Sequence, residues 1–97
     1  MNKNLLLRLA AENGNINEVK TLVDQGADIH VENEEPLRYA SLYGHLEIVK
    51  YLVEKGANMY IFDDLPLRLA EFNGHEKIIN YFLEKEFTSQ PFLKEEK

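Results

Sequence analysis

Few residues in this chain have the types and spacing for chemistry. Histidine occurs at His30, His45 and His75, and the arginines stand thirty apart at Arg8, Arg38 and Arg68. Serine occurs only at Ser41 and Ser89, and cysteine is absent. Imidazoles can ligate metals or carry protons, but the spacing offers no H-x-x-x-H pair. It also offers no carboxylate partner at metal-binding distance, so no metal is expected. Without thiols there is no thiolate nucleophile or zinc site. Ser41 falls on an apolar stripe and no G-x-S-x-G surrounds it, so a serine nucleophile has no setting. The five glycines are isolated, which rules out a Gly-rich phosphate loop. Carboxylates abound, but on the outer faces of helices they are ordinarily just solvated. The expectation is a chain without catalysis and without a cofactor.

What remains is the framework that holds these residues. The 97 residues are one small domain, and 44% hydrophobic content is enough for a core without disulfides. A net charge of −6 argues against nucleic acid and against an anionic membrane surface. The apolar runs, such as Leu5-Leu6-Leu7, are far too short for a membrane span or a signal-peptide core. A cytoplasmic location follows as an expectation, in the producing cell or in a host.

The chain repeats itself with a period of thirty. Leu7, Leu37 and Leu67 coincide, as do Arg8, Arg38 and Arg68, Ala10, Ala40 and Ala70, and Gly14, Gly44 and Gly74. Val19, Val49 and Ile79 follow, then Leu22, Leu52 and Phe82. Residues 1–30 match 31–60 at ten positions, where ordinary composition would give about two. Within each unit the period is helical. Leu37, Ala40 and Ser41 share a stripe on a short helix ending near Tyr43. Gly44 makes a tight turn, and Ile48, Val49, Leu52 and Val53 form one face of a second helix that Gly56 closes. Asn15 and Glu18 read as a capping box at the matching helix start. One helix pair cannot bury its own apolar face, so pairs must stack.

"PLRYASLYGHLEIVKYLVEKGAN", from Pro36 to Asn58, resembles the ankyrin repeat, with its P-L, its G-H, its I-V-x-x-L-type helix and its closing G-A-N. The resemblance covers about residues 4–87. It implies an all-α ankyrin-repeat solenoid of three helix-turn-helix units, 1–30, 31–60 and 61–87, with residues 88–97 as a tail. The family's period is about 33 residues, so the finger loops between units are expected to be shortened. Arg8, Arg38 and Arg68 take the place of the family's His in T-P-L-H. Thirty-residue units with L-R-x-A look like those abundant in large amoeba-infecting DNA viruses, which suggests a viral source.

The arginines are read as structural, with Glu34–Arg38 and Asp64–Arg68 pairs at i,i+4, and with Asn4, Glu34 and Asp64 as helix caps. His45 and His75, at the family's G-H position, are expected to bond neighbouring backbone. Transfer of the family's variable positions gives a concave partner-binding side. Its members are Glu12 and Asn13, Leu42 and Tyr43, Phe72 and Asn73, with Glu32, Tyr60 and Phe62 at the finger tips. Val31 and Ile61 are expected to point inward between them. The function implied is a protein–protein interaction module whose protein partner presents an apolar groove or loop with basic neighbours. The third unit lacks the closing glycine, having Glu86 instead, and its helix is very apolar. Phe87, Phe92 and Leu93 are expected to fold back over it as a monomer's cap. The alternative is a structural protein that dimerises through this C-terminal helix.

Overall fold

The computed structural model describes residues 2–88, which form six helices and no strand among them. They run α1 (Lys3–Asn13), α2 (Ile16–Asp24), α3 (Val31–Tyr43), α4 (Leu46–Glu54), α5 (Ile61–Phe72) and α6 (Glu76–Thr88). Each unit is an antiparallel pair. The first helices pack side by side, α1 on α3 and α3 on α5, while α2, α4 and α6 form a second layer. The periodic apolar residues meet between the layers: Leu7, Leu37, Val19, Val49 and Leu52 are fully buried, with Ile48, Ile78 and Phe82 nearly so. Phe92 and Leu93 lie outside the described residues.

Local chemistry explains the boundaries. Asn2 caps α1, its Oδ1 accepting the Asn4 amide at 2.7 Å. Asn4 is therefore inside the helix rather than its cap, and its Oδ1 accepts the Asp28 amide at 2.8 Å, tying α1 to the loop that follows α2. Asn15 caps α2 by accepting the Glu18 amide at 3.1 Å, and its own amide donates to the Glu18 carboxylate at 3.3 Å. Gly26 and Gly56 end the nine-residue helices α2 and α4, whereas Glu86 in the same place lets α6 run on to thirteen residues. Phe87 is consequently helical and 55% exposed, and it does not fold back over the end.

The joining segments are short, as expected, but they are not extended. Glu32, Asn33 and Glu34 have φ of 50°, 57° and 65°, and Phe62, Asp63 and Asp64 repeat this at 51°, 62° and 63°. Three successive non-glycine residues there cost roughly 1–2 kcal/mol each, so something must hold the turn. The arginines contribute. Arg38 donates from Nε to the Asn33 carbonyl at 3.0 Å and from Nη2 to the Glu32 carbonyl at 2.8 Å; Arg68 reaches the Phe62 carbonyl at 3.5 Å. The expected Glu34–Arg38 and Asp64–Arg68 pairs do not form among the described residues, because a left-handed turn swings the carboxylates off the helical i,i+4 geometry. Nor do Glu34 and Asp64 cap helices. The same turn removes the two-residue alternation, so Val31 and Ile61 are only half-buried, and Ile29 and Met59 are the buried residues, 8% exposed each. Glu35 and Leu65 then start the right-handed part of each helix, and Pro36 and Pro66 follow in its first turn, where a missing N–H is harmless.

Ser41 sits fully buried on the core stripe, and its Oγ lacks a hydrogen-bond partner among the described residues. Ala11 fills the same place in the first unit, also fully buried. Ser41→Ala is therefore expected to raise stability by about 1 kcal/mol, since it removes an unpaired buried hydroxyl without changing the packing. An upward shift of the thermal midpoint would show it; a lower midpoint would mean that the hydroxyl has a partner.

Candidate protein-binding surface

The joints between units set the positions of the surface residues. His45 donates from Nε2 to the carbonyl of Glu12 at 2.9 Å, and His75 does the same to the carbonyl of Leu42 at 2.9 Å. A carbonyl only accepts, so Nε2 carries the hydrogen in both rings. Each ring reaches back to the unit before it and lies against Gly14 or Gly44. Asn73 adds a bond from Nδ2 to the Leu42 carbonyl at 2.7 Å. The C-terminal ends of α3 and α5 are thereby locked side by side.

The nine residues predicted for the site fall into two groups. At the C-terminal ends of the first helices lie Glu12, Asn13, Leu42, Tyr43, Phe72 and Asn73. Tyr43 is 47% exposed and Phe72 83%, while Glu12 and Leu42 are half-buried. At the left-handed turns lie Glu32, Tyr60 and Phe62, all exposed, the aromatics at 46% and 55%. The groups sit at opposite ends of the helices, separated by about 10 Å of helical rise from Leu65 to Phe72. Leu42 and Asn73 are used, through a carbonyl and an amide, to build the joint itself.

A further element joins the first group. The Arg8 guanidinium lies 5.1 Å above the Tyr39 ring centre, and Tyr39 stacks on Tyr43 at 6.3 Å with 11° between their planes. Arg8 also donates to the Glu12 carboxylate at 2.8 Å. The stack Arg8–Tyr39–Tyr43 holds the exposed ring of Tyr43 in one orientation, because side chains four apart share a helix face. That spacing was present in the sequence for both Tyr39–Tyr43 and Arg8–Glu12.

The remaining titratable groups are placed for packing. Glu34 is 5% exposed and its Oε2 accepts from His30 Nδ1 at 2.7 Å. His30 had no expected role, and its i,i+4 spacing to Glu34 is the sequence signal for this pair. No group of three or more acidic, His or Cys residues that could hold a metal is found among the described residues. On the second layer, Tyr51 lies between Lys20 and Lys55, and Tyr81 between Lys50 and Lys85, at 5.6–6.0 Å. Burial raises both phenol pKa values above the ordinary one, with smaller contributions from Asp24 at Tyr51 and Glu54 at Tyr81. An open groove of about 420 Å³ beside Tyr81 mixes Lys50, Lys77 and Lys85 with Glu54 and Glu84, a composition without a single preferred charge.

Paired antiparallel helices at a thirty-residue period, joined by histidine-to-carbonyl bonds, define an α-solenoid of stacked repeats. The model for ankyrin repeats (3 copies) matches residues 7–92, and the chain belongs to the ankyrin repeat family. Repeats of this family generally serve as protein–protein interaction modules. A comparison with curated proteins finds no match. Among the described residues, no helix is long and apolar enough to cross a membrane.

Proposed function

We propose that the chain is a non-catalytic, cytoplasmic interaction module. It takes a protein partner against the exposed ends and turns of its first helices, through Glu12, Asn13, Glu32, Leu42, Tyr43, Tyr60, Phe62, Phe72 and Asn73. The observation that carries this reading is that Tyr43 and Phe72 stand exposed on adjacent, rigidly joined helix ends. Aromatic anchors held in one orientation lose little entropy on binding, and such residues dominate interfaces. The exposed acids, Glu71 beside these rings and Glu32 and Asp63 at the turns, favour a partner with basic groups around an apolar contact, and would speed association more than they deepen affinity. The thirty-residue unit length supports a viral source. The module acts as a monomer.

The test pairs two measurements. Tyr43→Ala with Phe72→Ala is expected to leave the circular-dichroism melt within about 1 kcal/mol of the parent, since surface truncations seldom cost more. The same double variant, immobilised and passed over lysate, is expected to lose a protein that the parent retains. Equal retention by both would reject this surface. A large loss of stability would mean that the two rings belong to the core.

A further inference from the structure

The histidines of this chain are chemically unlike one another. His45 and His75 hold the joints, each donating its Nε2–H to a carbonyl of the preceding unit at 2.9 Å. The other nitrogen of each ring carries the lone pair, but it is pressed against a glycine. A Cβ added at Gly14 would stand 2.8 Å from Nδ1 of His45, and one at Gly44 would stand 2.6 Å from Nδ1 of His75. Neither ring offers a free nitrogen to a reagent.

His30 is turned the other way. Its Nδ1 donates to Glu34 Oε2 at 2.7 Å, and its side chain is 53% exposed while that of Glu34 is 6% exposed. A carboxylate only accepts, so Nδ1 carries the hydrogen and Nε2 the lone pair. No protein group bonds Nε2 among the described residues. The Nδ1 edge faces the buried carboxylate, so the exposed part of the ring carries Nε2. Glu34 has no second donor, since its Oε1 is buried without a partner among the described residues. Its negative charge therefore acts on this one imidazole, where water screens it little. The turn that carries Glu34 is held by the bonds from Arg38 to the Glu32 and Asn33 carbonyls. In the third unit the same places hold Tyr60 and Asp64, so the repeat itself does not require the pair.

We propose that His30 Nε2 is the reactive imidazole of this chain, a site of covalent modification by uncharged acyl donors, with Glu34 as its positioning residue. Nε2 attacks the acyl carbon and an N–C bond forms. The bond from that carbon to the leaving group breaks, and the leaving group departs with its electron pair. The Nδ1 proton passes to Glu34 Oε2, which leaves a neutral acyl-imidazole. Asp28 and Glu32, both exposed and two residues to either side of His30, repel anionic donors such as phosphoanhydrides. Uncharged activated acyl groups are the class that remains.

Two measurements on the unaltered chain test this. Long-range proton–nitrogen correlation spectra, taken above the ordinary imidazole pKa of about 6.5, are expected to show His30 as the Nδ1–H tautomer and both His45 and His75 as the Nε2–H tautomer. Diethyl pyrocarbonate, an uncharged acyl donor, is then added at the same pH, and peptide mapping follows each histidine. His30 is expected to react about tenfold or more faster than His45 and His75, which react only when their joints open. His30→Ala is expected to remove the fast phase, and Glu34→Gln to slow it by about threefold or more, with circular dichroism checking the fold of each. The proposal is overturned if His30 shows the Nε2–H tautomer, if all the histidines react alike, or if a folded Glu34→Gln chain reacts as fast as the parent.

Discussion

Leu52→Ala is expected to destabilise the chain by about 2–5 kcal/mol and to melt all six helices together. Leu52 is fully buried in α4, the middle helix of the second layer, which packs against α2, α3 and α6. Removing the isobutyl group costs its transfer free energy, plus a cavity that helices anchored on both sides cannot close. In a solenoid each unit contacts only its neighbours, so a weakened middle unit loosens both joints at once. A domain of this size has only about 5–15 kcal/mol in total, and the loss is a large share of it. A single thermal transition shifted well down would agree. A melt like the parent's would mean that the helical register is wrong.

Gly44→Ala is expected to cost about 2–5 kcal/mol, and Gly74→Ala about 1–2 kcal/mol. Both glycines are left-handed, with φ of 84° and 70°, and at either position an alanine bears the backbone strain of that region, roughly 1–2 kcal/mol. At Gly44 the new Cβ would also stand 2.6 Å from two atoms of the His75 ring, whereas at Gly74 it meets nothing. The imidazole cannot retreat without lengthening its 2.9 Å bond to the Leu42 carbonyl, so overpacking adds about 1–3 kcal/mol. Denaturant melts of the two variants therefore isolate the joint from the turn. Equal losses would show that the His75 ring moves aside freely and that the joint contributes little.

Much of the architecture is legible in the amino-acid sequence. The period of thirty, the helical spacing of Leu37, Ala40, Ile48, Val49 and Leu52, and the glycines between helices specify paired helices that must stack. These are local or periodic properties, and burial follows them directly. The extra length of α6 was also written in the sequence, in Glu86 standing where Gly26 and Gly56 end their helices. For the candidate surface, the sequence separates the finger-tip residues Glu32, Tyr60 and Phe62 from the pairs before the helix-ending glycines, but it does not give the distance between the two groups.

The departures around the joining turns share one cause. The Glu34–Arg38 and Asp64–Arg68 pairs, the caps at Glu34 and Asp64, and the inward Val31 and Ile61 all assume helical or extended backbone. Six non-glycine residues in the left-handed region break that assumption, and although Asn33, Asp63 and Asp64 tolerate it better than most, Glu32, Glu34 and Phe62 do not. Contacts across the turn offset part of the strain: Arg38 holds the Glu32 and Asn33 carbonyls, and Arg68 reaches the Phe62 carbonyl. The sequence by itself determined the repeat, its helices and its core, because periodic apolar spacing has one economical burial. Only the tertiary structure decided the turns and the Arg8–Tyr39–Tyr43 stack. Each of those depends on which neighbour a side chain meets, and that is settled only once the units are stacked.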